Sequence, residues 1–192
     1  VAFIVDAVDG PLARRFRIAS TVPEIDGAAL DLVVDFLTYV VTPLVALWRS
    51  RLLDPALAAP VCAVVCAASA LYFSDRRMKS PDLWFRGFPA LWNVLVLYLL
   101  VLRPEPLMTL AIVIAATLLM FMPIVFVHPL RVSRLRPVTL AATGLWGVAA
   151  VAAVDQEFAA ASFTVKAALV TLAGYFLILP LFRARQTGGF DG

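Results

Sequence analysis

The chain has 192 residues, is 62% hydrophobic and has a mean hydropathy of +0.93, far above the range of a water-soluble domain. Its formal net charge is only +3, and the basic residues form no stripe of the kind that binds nucleic acid. These values exclude a soluble globular protein and a nucleic-acid-binding protein, and they indicate an integral membrane protein.

Six apolar stretches are each near the ~20 residues that a spanning helix needs, except Phe88–Leu102, which is short. Ahead of them, VAFIVDAV has no initiator Met and is typical of the end of an apolar helix rather than of a signal peptide. We therefore predict an all-α polytopic transmembrane helix bundle forming one domain, 1–192, with six complete spans after a truncated first helix, and eight spans in the whole protein. The six stretches are Ala28–Trp48, Pro55–Phe73, Phe88–Leu102, Pro106–Val127, Val138–Val154 and Ser162–Phe182.

Lys and Arg residues are unequally divided between the two sets of connections that alternate across the membrane. One set carries twelve: Arg14, Arg15, Arg17, Arg76, Arg77, Lys79, Arg86, Arg131, Arg134, Arg136, Arg183 and Arg185. The other set carries four: Arg49, Arg51, Arg103 and Lys166. Because basic loops stay on the cytoplasmic side, we expect the first set to face the cytoplasm of a bacterial inner membrane.

Four aspartates near the start of the chain have helix-compatible spacing. Asp6 and Asp9 are three residues apart, and Asp31 and Asp35 are four apart, so each pair shares one face of its helix. Counted from the flanking polar residues, Asp9 and Asp31 lie roughly 7–8 Å inside their helices and Asp6 and Asp35 roughly 12–14 Å. Two antiparallel helices would therefore bring the four carboxylates to matching levels near the cytoplasmic surface.

Four carboxylates at this depth need compensation. Each ionised Asp within a span costs about 2.5–3.5 kcal/mol on the insertion scale, so four would cost on the order of 10 kcal/mol. Arg14 is the one basic residue on the right face and at the right level. Hard oxygen ligands suit Mg²⁺ or Mn²⁺, so the sequence predicts one or two divalent cations at this site.

These residues resemble the signature of the CDP-alcohol phosphotransferase family. Eight positions match in order: Asp6-x-x-Asp9-Gly10-x-x-Ala13-Arg14, then Gly27-x-x-x-Asp31-x-x-x-Asp35. Twelve residues separate Arg14 from Gly27, more than in the usual pattern. The resemblance implies transfer of a phosphatidyl group from a CDP-linked lipid to an alcohol, with release of CMP.

The same resemblance implies roles for the matching residues. Asp6, Asp9, Asp31 and Asp35 would be ligands of two divalent cations, and Asp35 would also be the catalytic general base on the acceptor hydroxyl. The CDP-binding residues would be Gly10, Ala13, Arg14 and Gly27. The family also implies a homodimer surrounded by membrane lipids.

The rest of the chain indicates which alcohol is used. SDRRMKSPDLWFRGFPALWN (74–93) and FVHPLRVSRLRPVTL (126–140) resemble bacterial phosphatidylcholine synthases, which implies CDP-diacylglycerol and choline as substrates. A quaternary ammonium cannot donate hydrogen bonds and is best held by aromatic faces. The candidates for choline binding are Tyr39, Trp84, Phe88 and Trp92, with Phe85 and Tyr98 as further aromatics; an interfacial aromatic belt is the alternative explanation for each.

Two other functions stay open from the sequence. The first is the same chemistry with serine, inositol phosphate or glycerol phosphate as acceptor. The second is a cation-coupled transporter using the same carboxylates, which the clustering of all four near one surface disfavours.

Overall fold

The computed structural model describes residues 15, 24–75, 85–86, 88–122, 125–126 and 136–184. Within these ranges the regular secondary structure is helical, apart from two paired strands of two residues each. The helices Gly27–Arg49, Pro55–Ser74 and Pro137–Asp155 are long and apolar enough to cross a membrane, and Trp92–Leu102, Pro106–Leu119 and Phe163–Ile178 are shorter apolar helices. The elements in chain order are α1 (Gly27–Arg49), α2 (Pro55–Ser74), β1 (Phe85–Arg86), α3 (Trp92–Leu102), α4 (Pro106–Leu119), β2 (Val125–Phe126), α5 (Arg136–Asp155), a short 3₁₀-helix (Phe158–Ala160) and α6 (Phe163–Ala184).

The predicted helical membrane bundle is confirmed: each of the six apolar stretches overlaps one of the six described helices. Capping residues set several of their ends. Asp26 caps α1 by accepting hydrogen bonds from the backbone N–H groups of Ala28 and Ala29, and Asp54 caps α2 in the same way. Pro55 and Pro106 occupy first helical positions, where the missing N–H costs nothing.

Two predicted spans were too long. The stretch Phe88–Leu102 becomes helical only at Trp92, and the stretch Pro106–Val127 stops being helical at Leu119. The first difference follows from the backbone at Ala90, whose φ of 53° is not helical, and the second agrees with Pro123, because a proline disfavours the α conformation of the residue before it. Pro89 and Pro123 stand at these places. Hydropathy alone cannot separate an apolar helix from an apolar extended segment.

Helix α3 lies at the centre of the bundle and joins two groups of buried side chains. One group packs α3 with the second half of α1, α2 and α4, and Trp92, Val96 and Leu99 are its α3 members. The other packs Val101 of α3 with α5, the 3₁₀-helix and α6. Polar groups on α3 add directional contacts, since the Tyr98 hydroxyl donates to the Leu169 carbonyl at 2.8 Å.

Two contacts show which helix ends lie together. Phe85–Arg86 pairs antiparallel with Val125–Phe126, so the segments that follow α2 and α4 meet at one end of the bundle. The rings of Phe36 and Phe73 pack edge to face at 5.7 Å, which adds the first half of α1 to that same end. The first half of α1 and the ends of α2 and α4 therefore lie at one end of the bundle, as the division of basic residues predicts.

Candidate active site

Asp31 and Asp35 lie on the first half of α1, one helical turn apart. In α-helical geometry their Cβ atoms are therefore about 5–6 Å from each other. The Asp31 side chain is exposed and the Asp35 side chain is half-buried. The neighbouring Asp26 already uses its carboxylate to cap the helix, at 3.0 Å from the Ala28 nitrogen and 3.2 Å from the Ala29 nitrogen. Asp31 and Asp35, rather than Asp26, are thus the carboxylates that this helix presents.

The pair lies near the end of the neighbouring helix α2. Phe36 contacts Phe73, which is one residue from the last residue of α2. Because Gly27 precedes Phe36 by nine residues, α1 begins about 12 Å beyond the end of α2. Asp35 is level with that end, and Asp31 lies about 6 Å beyond it.

Gly27 stands at the first position of α1 with open space around it. A Cβ built at this residue would meet no heavy atom within 4 Å. Packing against the described residues therefore does not require a glycine here. The space is compatible with the predicted role of Gly27 beside a bound nucleotide, which stays a prediction.

Helix α3 begins deeper than α2 ends. The indole Nε1 of Trp92 donates to the Ser69 hydroxyl at 2.9 Å, and Ser69 is five residues before the end of α2, or about 7–8 Å. Two tight turns precede it: the Ala90 nitrogen donates to the Phe88 carbonyl, and the Trp92 nitrogen donates to the Ala90 carbonyl. Ala90 has a φ of 53°, which is unusual for a residue other than glycine. The start of α3 is therefore held below the level of Asp35.

The predicted acceptor aromatics occupy different environments. Tyr39 is buried, in a π-helical turn of α1. Trp92 is fully buried, and Phe88 is half-buried and packs edge to face on it at 5.6 Å. Tyr98 accepts a hydrogen bond from the Trp146 indole at 3.1 Å and joins α3 to α5 and α6. Trp92 contacts Ser69 of α2 and Phe88, Tyr98 contacts α5 and α6, and the roles of both toward an acceptor stay predictions.

Half of the predicted site lies outside the described residues. Asp6, Asp9, Gly10, Ala13, Arg14 and Trp84 belong to this half. Within the part of the chain that the structure describes, no three His, Cys, Asp or Glu side chains lie close enough together to hold a metal ion. The described half does fit a divalent cation chemically, since it offers two hard carboxylates one turn apart.

Sequence reasoning missed three features of this region. The first is the π-helical turn Leu37–Val41, directly after Asp35, for which Pro43 was the available signal. The second is the hydrogen bond between Trp92 and Ser69, for which the sequence contains no signal. The third is an apolar cleft of about 220 Å³ between α1 and α2, lined by Leu32, Val33, Phe36, Leu37, Ala70, Phe73 and Ser74.

Comparison with known proteins identifies the family. The chain is 34% identical to the phosphatidylcholine synthase of Rhizobium johnstonii over 178 residues, which are 93% of this chain and 74% of that protein. The chain belongs to the phosphatidylcholine synthase family. A second member, from Bradyrhizobium diazoefficiens, is 47% identical over 159 residues, 82% of this chain and 59% of its own length. A third phosphatidylcholine synthase, from Pseudomonas aeruginosa, is 38% identical over 146 residues, 76% of this chain and 61% of its own length.

The chain spans about three fifths of the length of several of these phosphatidylcholine synthases. No family model matches the sequence. No solved structure matches it. The resemblance drawn from the sequence is thus confirmed at the level of the family, and the described helices include three that are long and apolar enough to cross a membrane.

Proposed function

We propose that this chain is the catalytic region of a phosphatidyltransferase that makes phosphatidylcholine and CMP from CDP-diacylglycerol and choline. The observation that carries the proposal is the similarity to phosphatidylcholine synthases over 93% of the chain. The presence of Asp31 and Asp35 one helical turn apart in the first half of α1 supports it. The site would face the cytoplasm of a bacterial inner membrane, and the enzyme would act as a homodimer.

The proposed reaction forms one bond and breaks one bond at the phosphorus that carries the diacylglycerol. The choline oxygen bonds to this phosphorus, and the bond from phosphorus to the CMP oxygen breaks. Asp35, half-buried beside the site, takes the proton of the choline hydroxyl as its oxygen becomes nucleophilic. CMP leaves with the bonding electrons, so atoms and charge balance.

Asp6, Asp9, Asp31 and Asp35 are the residues that would hold two divalent cations, Mg²⁺ or Mn²⁺. Bound there, the cations would neutralise the charge on the phosphate oxygens, which is the main requirement of phosphoryl transfer. Arg14 would pair with a pyrophosphate oxygen, because its guanidinium can donate two parallel hydrogen bonds. Gly10, Ala13 and Gly27 would leave room for the nucleotide.

The acceptor site would be apolar and aromatic. Phe88 and Trp92 stand at the start of α3, below the level of Asp35, and Tyr39 follows Asp35 in α1. With Trp84 they are the candidates for contact with the quaternary ammonium group, which aromatic rings attract by about 0.5–2 kcal/mol each.

The test is release of CMP by the purified intact protein. CDP-diacylglycerol is supplied with Mn²⁺ or Mg²⁺ and with choline, serine, inositol phosphate or glycerol phosphate in parallel reactions. We expect CMP and phosphatidylcholine with choline alone, and no release after the cations are chelated. Release with serine or a phosphorylated acceptor instead would move the assignment to another acceptor, and cation flux without CMP release would favour a transporter.

A further inference from the structure

Helix α1 contains an irregular turn between its acidic half and its packed half. Residues Leu37–Val41 are π-helical, and both the backbone N–H and the hydroxyl of Thr42 bond to the Leu37 carbonyl, five residues back. Pro43 follows at once. It has no N–H for the carbonyl of Tyr39, four residues back, and in a regular α-helix its ring would collide with that carbonyl. The wider turn relieves this collision.

A π-helical turn acts as one extra residue in an α-helix, so it rotates one half of the helix against the other by about 100°. In α1 the second half is fixed to the core by Pro43, Leu44 and Leu47, all buried. With regular α-helical spacing throughout, Asp31 and Asp35 would point about 145° away from these three residues, toward lipid. With one extra residue the angle falls to about 45°.

The exposure of the first half of α1 agrees with the rotated arrangement. Val33, Leu37 and Leu30 lie opposite Asp35 on the helix, and their side chains are 55%, 49% and 55% exposed. Asp35 and Phe36 are half-buried. Regular spacing would instead have turned Val33 toward the core and Asp35 away from it. Asp31, one turn nearer the helix start, is exposed, so the half-burial of Asp35 is the observation that supports the rotation independently of the hydrogen bonds.

We infer that Pro43 and the π-helical turn are positioning elements, which turn the Asp31–Asp35 face inward to the space above the start of α3. Trp92 is held to Ser69 about 7–8 Å below the end of α2, so α3 does not fill that space. The acidic face thus looks into the bundle at a level that lipid headgroups and water share. Where its test measures CMP release, this inference rests on the proposed function.

Two variants of opposite length change test the inference. Deletion of Leu37 combined with Pro43→Ala removes the extra residue and restores the missing N–H. A regular α-helix then keeps the acidic face of the first half and the buried face of the second half in their present relative orientation. We expect this variant to keep CMP release within about threefold of the unmodified protein. Insertion of two alanines after Leu37 turns the acidic face by about another 200°, to about 155° from the buried residues, and should lower release at least about a hundredfold. Equal loss or equal retention in two folded variants would overturn the inference.

A structural measurement stands apart from catalysis and from the folding of those variants. A nitroxide amino acid is introduced singly at positions 30, 31, 35 and 37 of the intact protein in vesicles. We expect collisions with a water-soluble nickel complex to be highest at Asp31 and Asp35, and collisions with lipid-dissolved oxygen to be highest at Leu30 and Leu37. The reverse pattern would overturn the inference, and absence of CMP release from the unmodified protein would instead count against the proposed function.

Discussion

The hydrogen bond between Trp92 and Ser69 makes a specific prediction about stability. Both side chains are fully buried, and the Ser69 hydroxyl also donates to the Val65 carbonyl at 2.8 Å. Ser69→Ala leaves the indole N–H buried without an acceptor, which costs about 1–3 kcal/mol. Hydrogen bonds between membrane helices fall at the low end of such values, so we expect a loss of about 1–2 kcal/mol in the free energy of unfolding.

The same helix offers a matched control for this substitution. The Ser74 hydroxyl donates to the Ala70 carbonyl at 2.7 Å, four residues back as in Ser69, but Ser74 is exposed. Ser74→Ala should therefore change the unfolding free energy by less than about 0.5 kcal/mol. Denaturant titration in detergent micelles, followed by tryptophan fluorescence and circular dichroism, measures both variants.

A double-mutant cycle separates the hydrogen bond from the loss of ring volume. Trp92→Phe removes the N–H together with part of the indole, and the double variant with Ser69→Ala gives the coupling energy. We expect a coupling of about 1 kcal/mol. Equal stability of the Ser69→Ala and Ser74→Ala variants, or a coupling near zero, would refute the reasoning that this bond holds α3 at its depth.

Three further predictions concern the site and the core. Asp35→Asn should lower CMP release by about 10²–10⁴-fold at unchanged melting temperature. Asp26→Asn, which still caps the helix, should leave CMP release nearly normal. Comparable rates in the two variants would remove Asp35 as the base. The added methyl group of Gly27→Ala meets open space, so the melting temperature of the protein should not fall. The KM for CDP-diacylglycerol should rise, because the nucleotide would occupy that space. An unchanged KM would contradict this role of Gly27. Tyr98→Phe leaves the Trp146 indole N–H without its acceptor and removes the bond to the Leu169 carbonyl, so it should cost about 1–3 kcal/mol in the same denaturant titration; a loss below about 0.5 kcal/mol would contradict that estimate.

Much of the fold could be predicted because its signals are local. Long apolar stretches marked all six described helices, and Asp26 and Asp54 stand where helix caps are expected. The two overlong predictions came from counting apolar residues across Pro89 and Pro123. A proline ends a helix through its missing N–H and its ring, which hydropathy does not measure.

The candidate site could be predicted only in part. The spacing of Asp31 and Asp35 placed them on one face, since i and i+4 share a face in any α-helix. The spacing gives no such information past Asp35, because a π-helical turn, Leu37–Val41, follows it. The pairing of these carboxylates with Asp6 and Asp9 stays a prediction, because both lie outside the described residues.

Composition and spacing alone determined that the protein is a helical membrane bundle, that its helix ends alternate between two surfaces, and that two carboxylates share one helical turn. The tertiary structure decided the depth at which α3 begins, the partner of the Trp92 indole, and the direction in which the acidic face points. Hydropathy and helical periodicity depend only on residues that are close together in the chain. The rotation and depth of a helix depend on contacts with residues far away in the chain, such as Ser69 for Trp92, 23 positions apart.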